Sequence, residues 1–428
     1  MISDAEAQGG AAIAASRLAE SLRQAGHRIT RLVSAAEQGG QARQTRKLGL
    51  SYPLPLLERL AWHAVPPGKR EAFGNYLLRG RLDALLAELQ PDVINLHNLH
   101  QTFDPRWSPA LVKTCVARAP VVWTLHDMWS FTGRCVYNLG CERFVGGCDA
   151  ACPTAAEYPA LPPKRIAAAW AERREVLQSA TPLAAVTPSR WLAREAQRGL
   201  WAGRRVEVIP YGLPLDVYRP MNRAQARAAL GLEATGRLML FAAQNLTDPR
   251  KGWPLLREAL SRLSGIKLSV IGNGELPARV GKVEVLPLGC IGDERMKALI
   301  YNAADLLVHP APADNAPLVV MEALACGLPV ACFAAGGVPE MVIPKRTGWV
   351  AEEIESQSLA DLLAGALDDL EQGIDLRGEC RAFAEERFDF ARQAQLYTSL
   401  FSSMRAAFDG GFDAEEQAFF RAKEMAKV

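Results

Sequence analysis

The sequence predicts an α/β protein with two doubly wound parallel sheets, in two Rossmann-like domains that face each other across a cleft. Short apolar runs typical of buried strands alternate with amphipathic helical segments along most of the 428 residues. A chain of this length is too long for one ordinary hydrophobic core. Residues 213–236, which contain Pro214 and Pro220, separate two series of strands and predict a linker. We therefore expect ligands at the carboxyl ends of the strands, in the cleft.

The predicted N-terminal domain spans residues 1–212, and the predicted C-terminal domain spans residues 237–387. Residues 388–428 are expected to form C-terminal helices, the first of which packs back on the N-terminal domain. The strand candidates are 92–97, 121–126, 183–187 and 206–210 in the first series, and 237–243, 267–272, 305–309 and 329–333 in the second.

A glycine-rich turn, Gly9 and Gly10, leads into a predicted helix close to the N-terminus. Such a turn normally follows a strand. Residues 1–3 are too short for a full strand, so we expect either a truncated first strand or a misplaced start codon.

The composition is that of an ordinary soluble globular protein, with 49% hydrophobic and 22% charged residues. A formal net charge of +2 argues against a general nucleic-acid binder. Residues 17–81 are basic, however, with twelve Arg and Lys against four Glu. This segment either contacts an anionic membrane or substrate or is simply a solvated helical face.

Features of the whole chain favour a cytoplasmic location, which includes the inner face of the plasma membrane. No uninterrupted apolar run reaches the length of a membrane span, and no signal peptide opens the chain. Nine cysteines without a secretory signal indicate a reducing compartment.

Glu322 is the only carboxylate in an apolar helical segment that begins at Leu318. A buried charge of this kind needs a partner. The amides at the start of the helix, in the stretch Asn315-Ala316-Pro317-Leu318, suit a diphosphate. Glu322, two turns further on, would then accept hydrogen bonds from two ribose hydroxyls, and Asp314 would reach a sugar beyond the phosphates.

The pattern Asp314-x7-Glu322, with residues 323–330 and 336–340, resembles the retaining GT-B glycosyltransferases of family 4. That family usually has two Glu at this spacing, and the Asp in the first position resembles a branch with an Asp-Asn-x-Pro start. The resemblance implies retaining transfer of a hexose from a UDP or GDP sugar to a glycan or lipid-linked acceptor in polysaccharide biosynthesis. It also implies that no catalytic metal is needed. In agreement, the sequence contains no Asp-x-Asp, the usual divalent-metal motif of the other glycosyltransferase fold.

The same resemblance assigns roles around the donor. Lys251-Gly252 matches the family Lys-Gly that holds the diphosphate. Leu246 stands where the family has an Arg, so the adjacent Arg250 is expected to replace that cation; a solvated basic turn is the alternative. Gly272 matches a family turn that is also compatible with an ordinary loop, and Gly289 lies where the family places the loop beside the base.

His126 lies at the end of a predicted strand, where members of the family carry a His that hydrogen-bonds the transferred sugar. Asp127 follows it on the acceptor side. His97 and Asn98, at the end of another strand, are either acceptor contacts or structural turn residues. Gly9 and Gly10 match the glycine-rich loop that, in the family, approaches the donor phosphates and the acceptor.

Cys135, Cys141, Cys148 and Cys152 lie within eighteen residues, inside a glycine-containing loop at 133–153. Four thiolates that converge bind structural zinc tetrahedrally. The spacing lacks a Cys-x2-Cys unit, so free or disulfide-paired thiols and a metal cluster remain alternatives. A similar Cys-rich insertion occurs in one bacterial branch of the family that the chain resembles.

Two rival functions stay open from the sequence. A GT-B sugar-nucleotide epimerase or phosphorylase uses the same scaffold, and an epimerase would act without any acceptor. A non-catalytic, zinc-bearing interaction protein would keep the fold and bind no nucleotide sugar. Asp314, Glu322 and Lys251 together favour a transferase.

Overall fold

The computed structural model describes residues 1–35, 44–49, 63–66, 69–100 and 107–410. The chain folds into two compact units. The first contains Met1–Ile209 and the chain from Ala394 onward, and the second contains Pro210–Gln393. The segment expected to be a linker, residues 213–236, belongs to the second unit and includes a short helix.

The first unit is built on a seven-stranded sheet. Its strands are β1 (Ile2–Ala5), β2 (Arg31–Ala35), β3 (Thr45–Lys47), β4 (Ile94–Leu96), β5 (Val121–Thr124), β6 (Leu183–Thr187) and β7 (Val206–Val208). Its helices are α1 (Gly10–Gln24), α2 (Arg70–Leu89), α3 (Ala110–Val116), α4 (Arg143–Gly146), α5 (Pro163–Ser179), α6 (Arg190–Arg198) and a C-terminal helix given below.

The second unit also contains a seven-stranded sheet. Its strands are β8 (Arg237–Asn245), β9 (Ile266–Asn273), β10 (Arg279–Val280), β11 (Val283–Pro287), β12 (Leu306–His309), β13 (Val330–Phe333) and β14 (Gly348–Ala351). Its helices are α7 (Arg223–Ala229), α8 (Trp253–Leu260), α9 (Glu294–Ala303), α10 (Leu318–Ala325), α11 (Ser356–Glu371) and α12 (Arg377–Arg387). Helix α13 (Phe390–Asp409) lies mainly in the first unit.

The strand orders are those of doubly wound sheets. The first sheet has the order β3-β2-β1-β4-β5-β6-β7, with all its pairs parallel. The second has the order β10-β11-β9-β8-β12-β13-β14, in which the edge pair β10–β11 is antiparallel. Chain order reverses between β1 and β4 in one sheet and between β8 and β12 in the other. Ligands of such sheets bind at these reversals, beyond the carboxyl ends of the strands.

The central strand β5 is buried on both faces of the first sheet. Its alternate side chains point to opposite sides and enter different hydrophobic cores. Val121 and Trp123 of β5 belong to one hydrophobic core, and Val122 belongs to the other. Helix α13 covers the second face with side chains at helical spacing: Ala394, Tyr397, Leu400 and Met404. The Tyr397 hydroxyl also lies 3.0 Å from the Thr124 hydroxyl of β5.

The predicted fold class of two doubly wound α/β domains is confirmed, and a strand is found at each of the eight predicted positions. A short strand, β1, precedes the turn at Gly9, where only a truncated one was expected. Residues 411–428 of the expected C-terminal helices lie outside the described residues. In the described part of the chain, no helix is both long and apolar enough to cross a membrane.

Candidate functional site

Charged side chains meet at the switch point of the second sheet. A 3₁₀ turn, Pro249–Lys251, follows β8, and the loop after β12 contains Asp314. The Lys251 Nζ lies 2.9 Å from Asp314 Oδ2. The Nε2 of His309, the last residue of β12, lies 3.5 Å from the same oxygen. The structure thus brings together two residues predicted from the sequence and adds His309.

Asp314 is held as a carboxylate although it is only 6% exposed. Burial by itself raises the pKa of this carboxyl, but the charge of Lys251 and the nearby His309 side chain outweigh burial. The pKa of Asp314 therefore lies below its ordinary value. Its second oxygen, Oδ1, accepts the backbone N–H of Asn315 at 2.9 Å. The carboxylate is fixed in place on both sides.

Two glycines permit the backbone approaches that build this switch point. Gly252, directly after Lys251, has φ 81°, and a Cβ there would lie 1.8 Å from the Pro310 carbonyl oxygen. Gly336 has φ 60°, and a Cβ there would lie 2.0 Å from the Asp314 carbonyl oxygen. Only glycine fits at either position without moving the loop that carries Asp314.

Glu322 is 3% exposed on α10, and it has a partner inside the protein that the sequence did not predict. The sequence predicts a partner outside the protein, but the Tyr301 hydroxyl of α9 donates to Glu322 Oε2 at 2.9 Å. Burial and the neighbouring Glu322 charge raise the pKa of Tyr301 well above its ordinary value. Tyr301 therefore stays a hydrogen-bond donor. The prediction missed it because this contact joins two separate helices.

Helix α10 begins at Leu318, and Pro317 occupies the cap position without a side-chain hydrogen bond to the helix. The first amides of an α-helix have no acceptor within the helix. The sequence-predicted amide stretch 315–318 thus coincides with this helix start. That the amides of residues 315–318 bind a diphosphate stays a prediction.

The other predicted donor residues occupy two turns. The Arg250 guanidinium bonds the Asp248 carboxylate through Nε at 3.1 Å and through an Nη atom at 2.6 Å. Arg250 therefore forms a two-point ion pair with Asp248 within the same turn. Gly272, with φ 148°, donates its N–H to the Gly289 carbonyl oxygen at 3.0 Å, so these two predicted residues are neighbours.

In the first unit, polar side chains gather where β1, β4 and β5 end. The Nδ1 of His97 lies 2.9 Å from the Nε2 of His126, and both rings are buried. His100 Nε2 lies 3.3 Å from Asp127 Oδ2. Burial lowers the pKa of His100, but Asp127 outweighs that effect, so the pKa of His100 lies above its ordinary value. His97 is only 1% exposed, and its two predicted roles, an acceptor contact or a structural turn residue, both stay predictions.

Gly9, Gly10 and Asn98 border this cluster. Gly9 has φ 93° and precedes α1, which begins at Gly10. Asn98 uses its carbonyl oxygen to accept the N–H of Asp4 at 3.1 Å. The predicted sugar-positioning residue His126 and the predicted acceptor-side residues His97, Asn98 and Asp127 thus all lie beyond the carboxyl ends of β4 and β5. Asp4 and His100 were missed, although each lies at or just beyond a strand end.

Asp4 is a buried carboxyl of β1 whose pKa is raised to about 6. Burial is the main cause, Asp127 adds to it, and His100 opposes it. Since the folded state binds this proton more tightly than the unfolded state, Asp4 lowers stability as pH rises from about 4 to about 6. Above that window the cost is fully present.

We expect Asp4→Asn to raise the free energy of unfolding by about 2 kcal/mol near neutral pH and to change it little near pH 4. Denaturant unfolding at both pH values measures this difference. Asp92→Asn, at an exposed position before β4, is the matched control and should change neither value. An equal gain for Asp4→Asn at both pH values would contradict the assigned titration.

The four loop cysteines line one pocket together with Thr132, Asn138, Arg143, Phe144 and Asp149. All nine cysteines of the chain are free thiols. Burial raises the pKa of Cys148 to about 11, and its sulfur accepts the Gly133 N–H at 3.2 Å. Within the described ranges, no group of three or more His, Cys, Asp or Glu side chains is arranged to hold a metal ion.

Two open parallel sheets with polar clusters at their switch points define a protein of the Rossmann-like α/β class. Comparison of sequences narrows the class. The family model described as Glycosyltransferase Family 4 matches residues 8–217, and the model described as Glycosyl transferases group 1 matches residues 236–369. The chain therefore combines a family 4 domain with a group 1 domain and is a glycosyltransferase.

Among curated relatives, the chain is 28% identical over 299 residues to an Escherichia coli protein named as a colanic acid biosynthesis glycosyl transferase, WcaC. That match covers 68% of this chain and 71% of the relative. A D-inositol 3-phosphate glycosyltransferase of Mycobacteroides abscessus is 32% identical over 180 residues, which cover 38% of this chain and 39% of the relative. The chain thus matches well under half the length of this second relative.

Solved structures share the fold of the whole chain. Sucrose-phosphate synthase from Thermosynechococcus elongatus superposes with a TM-score of 0.68 at 21% identity, covering 94% of this chain and 98% of that one. Anabaena HepE in complex with UDP-glucose has a TM-score of 0.66 at 19% identity, with the same coverage. These neighbours are GT-B proteins, and the two Rossmann-like units agree with that fold.

Proposed function

We propose that the protein is a retaining glycosyltransferase that moves a hexose from a nucleoside diphosphate sugar to a glycan or lipid-linked acceptor. The observation that supports this most is the ion pair between Lys251 and Asp314 at the switch point of the second sheet. It places a cation and a carboxylate beside the start of α10, where a diphosphate and its sugar would lie. The acceptor chemistry proposed follows the named role of WcaC in colanic acid biosynthesis.

In this proposal each residue of the second unit has a separate task. Lys251 and the amides at the start of α10 hold the diphosphate, and they stabilise the charge that grows on it as the glycosidic bond breaks. Glu322 accepts hydrogen bonds from the ribose, and Asp314 orients the sugar. Arg250 would contribute to the phosphate site through N–H groups that do not bond Asp248. Gly272 and Gly289 form the backbone edge beside the base.

His126 is proposed to orient the transferred sugar and not to act as a general base. Burial lowers the pKa of His126 to about 4, which makes the ring a neutral hydrogen-bonding group at physiological pH. The acceptor hydroxyl oxygen bonds to the sugar C1 on the face from which the phosphate leaves. The leaving phosphate oxygen takes the hydroxyl proton, so the step needs no protein base and no metal ion.

A thermal-shift screen with UDP-, GDP- and ADP-sugars tests the donor, and product analysis then tests the reaction. We expect one nucleotide class to raise the melting temperature and the sugar to appear on an added acceptor with its anomeric configuration retained. Release of an epimerised or free sugar without any acceptor product would favour the epimerase or phosphorylase alternative. Failure of every nucleotide sugar to bind would favour a non-catalytic interaction protein.

The proposal includes a cytoplasmic location at the inner face of the plasma membrane. The basic composition of residues 17–81 supports it, since anionic lipid attracts Lys and Arg. Co-sedimentation with vesicles that contain anionic lipid tests this part. Equal binding to neutral and anionic vesicles would remove it.

We also propose that Cys135, Cys141, Cys148 and Cys152 bind one structural Zn²⁺. Four thiols that line a single pocket are a donor set that suits zinc. The side chains present would need to rotate toward a common centre, because as they stand they form no ligand group in the described residues. Zinc would bind the thiols as thiolates and cross-link distant parts of the loop at 133–153 to one another.

Metal analysis of purified protein should find about one zinc per chain. A Cys141→Ser or Cys152→Ser variant should lose that zinc and melt at a lower temperature. Cys290→Ser, which changes an exposed thiol elsewhere, should keep both zinc and melting temperature. Protein without zinc, in which all four loop thiols react with a thiol reagent or are paired as disulfides, would overturn the zinc proposal.

A further inference from the structure

Two histidines of the first unit form a directly bonded pair. His97 follows β4 and His126 lies just beyond β5, and the 2.9 Å contact joins His97 Nδ1 to His126 Nε2. The ring centroids are 5.2 Å apart, with an angle of 24° between the rings. The His97 backbone is fixed as well, because its N–H donates to Ile2 and its carbonyl accepts the Trp123 indole N–H, both at 2.9 Å.

The pair is neutral at physiological pH. Burial lowers the pKa of His97 well below its ordinary value, and the neighbouring His126, the N-terminal amine and Arg31 lower it further. Burial also lowers the pKa of His126, with Asp127 and His100 acting in opposite directions. A neutral imidazole has one N–H donor and one bare nitrogen. One proton therefore lies between the two bonded nitrogens.

The position of that proton follows from the other nitrogen of His97. Nε2 of His97 is buried and has no hydrogen-bond partner among the described residues. If His126 donated the proton, His97 would carry its own proton on Nε2 as a buried donor without an acceptor. If His97 donates, its Nε2 is a bare acceptor. A buried unpaired N–H is the rarer and costlier of the two. His97 therefore donates from Nδ1, and His126 carries its proton on Nδ1.

We infer that His97 is a positioning residue that fixes the ring plane and the Nδ1–H tautomer of His126. This inference rests on the proposed function, in which His126 orients the transferred sugar. It replaces the direct acceptor contact expected for His97. With Nε2 occupied by His97, the ring has a single proton, on Nδ1, and a hydrogen bond to a sugar oxygen would be donated from that atom.

Nitrogen NMR of protein labelled in its six histidines measures the tautomer directly and without substrate. We expect an unprotonated Nε2 and a protonated Nδ1 for His126 in the wild-type protein. A protonated Nε2 on His126 would overturn the inference. The measurement needs no turnover, so it separates this inference from the proposed function. If the protein transfers sugar but His126 has the opposite tautomer, only the inference is wrong. If His126 has the expected tautomer but the protein transfers no sugar, only the proposed function is wrong.

Two variants at position 97 then connect the tautomer to the reaction. His97→Asn places an amide N–H near the position of Nδ1 and should keep the tautomer and most of kcat. His97→Leu removes the donor and should lower kcat by about tenfold, with little change in donor KM. It should also mix the two His126 tautomers in the spectrum. If both variants melt lower but keep the wild-type spectrum and kcat, His97 is only structural.

Discussion

Replacing Glu322 with Gln is expected to raise the dissociation constant of the nucleotide sugar by about 10- to 100-fold. A hydrogen bond to a charged group stabilises by about 1.5–3 kcal/mol, and each 1.4 kcal/mol is about a tenfold change in affinity. A carboxylate can accept from two ribose hydroxyls at once, whereas an amide has only one oxygen for them. Isothermal titration with the donor found by the thermal-shift screen measures the change.

The alternative for Glu322 is a purely structural hydrogen bond to Tyr301, and Tyr301→Phe separates the two roles. That variant removes the internal bond at Glu322 Oε2 but keeps the carboxylate. It should lower stability by about 1–2 kcal/mol while keeping most of the donor affinity. A structural Glu322 would instead make both variants unstable and leave both with wild-type affinity.

A modified donor tests the contact between Glu322 and the ribose directly. A donor that lacks the ribose 2′-hydroxyl should bind wild-type protein more weakly, because one partner of Glu322 is missing. The Glu322→Gln variant should lose much less affinity for that donor. Equal losses in the two proteins would show that Glu322 does not contact this hydroxyl.

The sequence predicts local features of this molecule well. The strands β4, β5 and β12 are short apolar runs that can be predicted from the sequence. The apolar helix α10 and the single carboxylate in it, Glu322, are likewise apparent from the helical period. The close contact of Lys251 with Asp314 is also predictable in outline. Both follow strands that flank the same switch point in a doubly wound order.

The contacts that escape the sequence join elements without a shared pattern. Tyr301 and Glu322 lie on two different helices, and no periodicity in either helix indicates the other. The burial of His97 also depends on contacts between separate strands, because its backbone bonds Ile2 and the Trp123 indole. The burial of Asp4 was missed for a similar reason, since only the assembled sheet shows that β1 is a central strand.

In both proposed sites, each buried charged or polar group already contacts a partner within the protein before any ligand binds. Tyr301 holds Glu322, Lys251 and His309 hold Asp314, and His97 holds His126. Groups fixed in this way lose little freedom when a substrate binds, so more of the interaction free energy is available for orientation. Each internal partner is also a place where a substitution can separate stability from activity.

Replacing Lys251 with Met should lower kcat by about 100- to 1000-fold, because the leaving diphosphate would lose the cation that stabilises its growing charge. The change also removes the closer of the two side-chain nitrogens that lie beside the buried Asp314 carboxylate. We expect a stability loss of about 1–2 kcal/mol, at the low end for a broken buried pair because Lys251 is partly exposed and His309 remains.

Comparison with Asp314→Asn and with the double variant separates the two effects of Lys251→Met. Since Lys251 depresses the pKa of Asp314, the stability that this pair contributes is present above the carboxyl's ordinary pKa and lost as pH falls below it. The stability difference between wild type and Lys251→Met should therefore shrink near about pH 3. The double variant should regain stability near neutral pH, because it carries no unpaired buried charge, yet it should not regain transfer. If transfer returns with stability, Lys251 acts only through the fold. If stability returns alone and the double variant transfers even less than Asp314→Asn, the cation acts on the diphosphate.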